Sequence, residues 1–123
     1  MRLLALAAAF AATAAASSSF ASYGDLDGKP YAVSYDKRTI TINGKHSLFL
    51  SGAVHPPRGT QAMWDGWFAA AKANGLNMLQ VYIFWNYHEP LEGEFDWSNR
   101  GNLTAFMAKA QEAKIFINLR IGE

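Results

Sequence analysis

Apolar positions along this chain change period several times, and each change marks an element boundary. Leu48-Phe49-Leu50-Ser51-Gly52-Ala53-Val54 is a nearly continuous apolar run that reads as a strand. It stops at His55-Pro56-Pro57, because two prolines exclude further ladder hydrogen bonds. Trp64, Trp67, Phe68 and Ala71 then recur at helical spacing, with Thr60 as the N-cap and Asn74-Gly75 as the C-terminal stop. Met78 to Trp85 is apolar with β-branched and aromatic members, the pattern of a strand buried on both faces of a parallel sheet. A loop is expected from Asn86 to Arg100, carrying Pro90 and Gly93. Leu103, Phe106, Met107 and Ala110 predict a second amphipathic helix, and Ile115 to Ile121 a third buried strand.

Upstream the pattern is antiparallel. Tyr31 to Tyr35 reads as a short edge strand, and Arg38 to Ile42 alternates polar and β-branched residues. Asn43-Gly44 follows, a strong hairpin signal because both central positions of the turn need positive φ. The order is therefore a hairpin followed by β-α-β-α-β, an α/β pattern of parallel crossovers. Two architectures fit it, a doubly wound sheet and a (β/α)8 TIM barrel. No Gly-x-Gly-x-x-Gly follows any strand, so the dinucleotide-binding option lacks its usual signature. In both architectures function gathers at strand C-terminal ends. Here those are His55 to Arg58, Trp85 to Pro90, and Arg120 to Glu123.

The first residues do not share this pattern. Arg2 precedes an Ala-rich apolar run from Leu3 to Ala16, long enough for a signal h-region and too short to span a membrane. Ser19-Phe20-Ala21 places small residues at the −3 and −1 positions of a cleavage site. A signal peptide over 1–21 is expected, with a cut after Ala16 as the alternative; an Ala/Ser tail or helix is the plainer reading. The expected division is 1–21 signal peptide, 22–32 lead-in and 33–123 partial barrel. With no second apolar stretch to anchor it, the product is expected to be secreted to the extracellular space, or delivered to a vacuole or lysosome. Net charge is +1 with no basic stripe, so a nucleic-acid partner lacks its electrostatic footprint. The chain has no cysteine, and its core must come from its 50% hydrophobic content.

Several residues near the strand ends are candidates for chemistry. Tyr82, on one face of the second strand, has a hydroxyl able to donate to a substrate oxygen. Trp85 offers an apolar plate for a sugar's C–H face, and Asn86 and Glu89 add hydrogen-bonding groups. Equally, Tyr82, Phe84 and Trp85 are good core filler. His55 and Arg58 end the first strand, where a histidine bonded to nearby backbone is the plainer reading. Glu89 is either an acid or base, or the partner of Arg58 in an ion pair that fixes the loop, and pairing is the favoured reading. His46, His55 and His88 share no metal-ligand spacing, so a metal is not expected. Asn102-Leu103-Thr104 is both a glycosylation sequon and a possible helix N-cap.

Two longer stretches reach a family. Ile42-Asn43-Gly44-Lys45 with Leu50-Ser51-Gly52-Ala53-Val54-His55-Pro56-Pro57-Arg58, and Gln80-Val81-Tyr82-Ile83-Phe84-Trp85-Asn86-Tyr87-His88-Glu89-Pro90, resemble the opening of the glycoside hydrolase family 35 β-galactosidases. Met63-Trp64, Lys72-Ala73-Asn74-Gly75-Leu76-Asn77, Gly93-Glu94-Phe95-Asp96-Trp97 and Leu119-Arg120-Ile121-Gly122 match its continuation. The resemblance covers Val33 to Gly122, with order and spacing agreeing across three strands.

The resemblance implies a (β/α)8 barrel that hydrolyses terminal β-galactosides of glycans with retention and without a cofactor. In such enzymes a carboxylic acid protonates the leaving oxygen and a carboxylate about 5–5.5 Å away attacks the anomeric carbon. In the family both are glutamates on the fourth and seventh strands, so this chain holds no catalytic residue; Tyr82 matches a tyrosine that contacts galactose. His55, Arg58, Trp85, Asn86 and Glu89 remain candidates for the pocket rim. Two positions depart from the family: Pro57 stands where a tyrosine is usual, and Glu123 stands where a proline precedes a Cys-Ala-Glu-Trp segment. The chain therefore looks like a truncated, inactive N-terminal part of the barrel. A barrel needs about 250 residues, so the isolated piece is expected to fold poorly. The rivals are a non-catalytic galactoside-binding or decoy protein, and another retaining barrel glycosidase such as a β-glucosidase-like enzyme.

Overall fold

The structure is a computed structural model that describes residues 21–26 and 28–122. The expected signal peptide thus lies outside the described residues, except for Ala21.

The described residues build two three-stranded sheets. The first is antiparallel, with β1 (Val33–Tyr35), β2 (Ile40–Ile42) and β3 (Lys45–His46) in that order. Asn43 and Gly44 turn the β2–β3 hairpin at φ of 50° and 76°, the double positive φ that the Asn-Gly pair predicts. The Asn43 side chain also accepts a hydrogen bond from the Ala32 N–H at 2.9 Å, which ties the turn to β1. The strands are shorter than the sequence pattern suggests, and β1 is exposed along its length.

The second sheet is parallel and carries the core. Its strands β4 (Ser51–Val54), β5 (Met78–Ile83) and β6 (Phe116–Ile121) lie side by side in chain order. Helix α1 (Gln61–Ala73) crosses from β4 to β5. A single turn, α2 (Trp85–His88), follows β5, and α3 (Leu103–Ala113) leads into β6. The two crossover helices lie on the same face of the sheet. Trp64, Phe68 and Ala71 of α1 pack with Phe106 and Ala110 of α3 over Leu79 and Val81 of β5. Trp64, Phe106, Ile115 and Val81 are sealed from solvent. Trp64 and Phe106 meet edge to face at 5.1 Å, a favoured aromatic geometry.

Caps behave as the composition suggests, with one difference. Gly75 takes φ of 75° after the C-cap Asn74, a left-handed conformation that glycine adopts without strain. Asn102 caps α3, its side-chain oxygen accepting from the Ala105 N–H at 2.9 Å. Thr60 occupies the N-cap of α1, but its hydroxyl makes no capping bond.

Asn77 joins the start of all three parallel strands. Its side-chain oxygen accepts from the Leu50 N–H at 2.8 Å, and its amide donates to the Leu48 carbonyl at 2.7 Å. Its own carbonyl accepts from the Phe116 N–H at 2.9 Å. Phe116 in turn meets Phe49 edge to face at 5.4 Å and Tyr23 at a tilt, with ring centroids 5.0 Å apart. The N-terminal end of the sheet is thereby filled by aromatic rings.

Candidate functional site

Alternation along β5 decides which side chains the site receives. Leu79, Val81 and Ile83 are buried, and the first two pack under the helices. Met78, Gln80 and Tyr82 take the opposite face and are only half buried. The expectation of a strand buried on both faces is corrected here, because both helices cover the same side. On β6 the period is the same: Ile117 and Leu119 pack toward the helical core, which leaves Asn118 and Arg120 on the Tyr82 side. The parallel register sets Tyr82 beside Arg120 and Gln80 beside Asn118.

Near the C-terminal edge of this open face lies a cluster drawn from all three strands. The His55 ring, just past β4, meets Tyr82 edge to face at 4.8 Å and Phe84 at 5.4 Å. The Arg120 guanidinium lies over the Tyr82 ring at 4.2 Å, and its Nη1 meets the Tyr82 hydroxyl. Arg58 lies over Phe84 at 5.5 Å. His55, Arg58 and Tyr82, proposed from sequence, are therefore brought together.

The remaining sequence candidates sit differently. Trp85 and Asn86 do not extend β5; they enter α2, because the Tyr87 and His88 N–H groups both donate back to the Phe84 carbonyl. Trp85 is half exposed, and its indole nitrogen lies only 3.0 Å from where a Cβ on Gly122 would stand. Asn86 is exposed. Glu89 is not paired with Arg58, which corrects the favoured reading: its carboxylate accepts from the Gly93 N–H at 2.8 Å. A contact four residues away closes a smaller loop than one to a residue across the sheet, so it costs less chain entropy. Asn102 spends its side-chain oxygen on the α3 cap.

The loop after α2 is held by residues that sequence reasoning passed over. His88 is buried, with Nδ1 3.1 Å from the Phe84 carbonyl and its ring 4.6 Å from Trp97. The Asp96 N–H donates to the His88 carbonyl at 2.8 Å. The Ser98 hydroxyl, and then the Ser98 N–H, hold the Asp96 carboxyl below its usual range. Arg120, read from sequence only as part of the strand end Arg120 to Glu123, was not singled out for the site. Its signal was the two-residue period of β6, which becomes readable once the register against β5 is known.

The sequence profile of the glycosyl hydrolases family 35 matches residues 39–123, the stretch that holds this cluster. The chain belongs to that family. Among similar proteins, Beta-galactosidase 14 of Arabidopsis thaliana is 41% identical over 102 residues, covering 83% of this chain and 12% of the relative. Beta-galactosidase 11 of the same plant is 42% identical over 90 residues, covering 73% of this chain and 11% of the relative. Beta-galactosidase 13 is 40% identical over 94 residues, covering 76% and 11%. The chain thus spans only about an eighth of the length of these relatives. The family 35 resemblance read from the strand-end motifs is borne out.

Proposed function

We propose that the protein carrying this chain is a β-galactosidase that removes terminal galactose from glycans with retention of configuration. On this reading the βαβαβ unit opens a (β/α)8 barrel, and Tyr82 touches the galactose. The observation that carries it is the placement of Tyr82 on the sheet face away from the helices, beside Arg120 and His55, in a family 35 chain. In a barrel that face is the interior, and its C-terminal rim is where ligands bind. His55, Arg58 and Phe84 then form the adjoining rim, with Trp85, Asn86 and Glu89 on the next loop.

Retaining hydrolysis needs two carboxyl groups flanking the scissile bond. Glu89 accepts the Gly93 N–H, which suits a loop anchor better than a free acid. The acid and the nucleophile are accordingly assigned to polypeptide outside these 123 residues, and a galactoside-binding role without turnover is the second reading for the chain by itself. Hydrolysis of a chromogenic β-galactoside by the full-length protein, with the first-formed anomer followed by NMR, tests the proposal. β-Galactose is expected first. Release of the α-anomer, or turnover of a β-glucoside in its place, contradicts it.

The Ala-rich leader is read as a signal peptide and the product as secreted. The Ala21 N–H donates to the His46 carbonyl at 2.8 Å, and its side chain packs with Leu26 and Ile42. That favours the cut after Ala16 over the cut after Ala21. N-terminal sequencing of the mature protein distinguishes the two, starting at Ser17 or at Ser22.

A further inference from the structure

Tyr82 and Arg120 stand side by side in the parallel register, and the contact between them is more than proximity. The guanidinium lies over the ring and also reaches the hydroxyl. Guanidinium nitrogens carry only donors. The phenol oxygen must therefore accept from Arg120, and its single proton is left to point elsewhere. The ring itself has little freedom, with the cation over its face and the His55 ring edge to face with it at 4.8 Å.

We propose that Arg120 is a positioning residue that fixes Tyr82 as a hydrogen-bond donor to an accepting oxygen of the bound sugar. The inference rests on the galactosidase reading and adds a selection rule to it. A ligand position that accepts gains a bond, whereas a deoxy position leaves the phenol proton unpaired in the site. Acceptance from a cation also polarises the O–H, so its bond to the ligand is strengthened. Arg58, which lies over Phe84 instead, has no hydroxyl to direct and serves as the control.

The test is a double-mutant cycle in the full-length protein, with a nitrophenyl β-galactoside and its monodeoxy analogues as substrates. Arg120→Met is expected to lower kcat/KM about 10- to 100-fold, the range for losing a charge-assisted hydrogen bond. In the Tyr82→Phe background the same change is expected to cost less than about threefold. Discrimination against one deoxy analogue should fall in both single variants, and Arg120→Lys, which keeps a donor, should recover part of it. Equal losses in the two backgrounds, with discrimination intact, overturn the inference. A second readout does not need turnover: the Tyr82 Cζ resonance in 13C-tyrosine-labelled protein should move in Arg120→Met and stay in Arg58→Met, and an unmoved resonance overturns the inference. Lack of galactoside turnover by the unmutated protein is a different result, one that overturns the galactosidase reading itself.

Discussion

Leu79, Val81 and Ile83 point to one side of β5, and Gln80 and Tyr82 point to the other. On the first side Val81 has no solvent exposure, and it packs with the rings of Trp64, Phe68 and Phe106. On the second side Gln80 and Tyr82 are half buried and carry an amide and a phenol, and across the register stand the exposed Asn118 amide and Arg120 guanidinium. One strand thus does two jobs by the same two-residue period. The helix-covered side holds the fold by removing apolar area from water. The open side keeps hydrogen-bonding groups that a fully covered strand would have to pair internally. Substitutions on the two sides should therefore separate stability from chemistry.

The largest effect is expected on the covered side. Trp64→Ala removes the biggest sealed side chain and should cost about 3–5 kcal/mol in chemical denaturation, while activity per folded molecule is kept. Loss of activity without loss of stability would break the division. A smaller loss is expected where the strands begin. Asn77→Ala leaves the Leu50 N–H and the Leu48 carbonyl without their partner and should cost about 1–3 kcal/mol by the same measurement. The smallest effect belongs to the antiparallel sheet. The Arg38 N–H, then the Thr39 N–H and the His46 ring, hold the Asp36 carboxyl below its usual range. A lowered folded-state value means that this stabilisation is present above the ordinary carboxylate range and is lost as pH falls through the lowered value. Measured against the intrinsic exchange rate at each pH, amide protection at Arg38 and Thr39 should fall in acid, while Val81 and Leu119 in the parallel sheet keep theirs. Unchanged protection at Arg38 and Thr39 would remove Asp36 as the clasp of that turn.

Much of the covered side was legible in the sequence. Apolar runs and helical spacing placed both crossover helices and all three parallel strands, and Asn43-Gly44 placed the hairpin turn. These features depend on local period and backbone preference, which a sequence carries directly. The open side was only half legible. His55 and Tyr82 were picked out by type and position, and they do meet. Arg120 was read only as part of a strand end, because its nearness to Tyr82 comes from register across two strands. Trp85 continues an aromatic run and read as strand, yet the backbone turns at Phe84, whose carbonyl takes two N–H groups in succession. Glu89 has the charge to pair with Arg58, but charge alone names no partner, and a backbone N–H four residues away is the one it meets.

The division between the two sides is tested most directly at Tyr82. Tyr82→Phe keeps the ring and removes one hydroxyl from the open face. In the full-length protein, kcat/KM for a β-galactoside is predicted to fall roughly 10- to 100-fold, with the melting temperature kept within a few degrees. An unchanged kcat/KM would contradict the account.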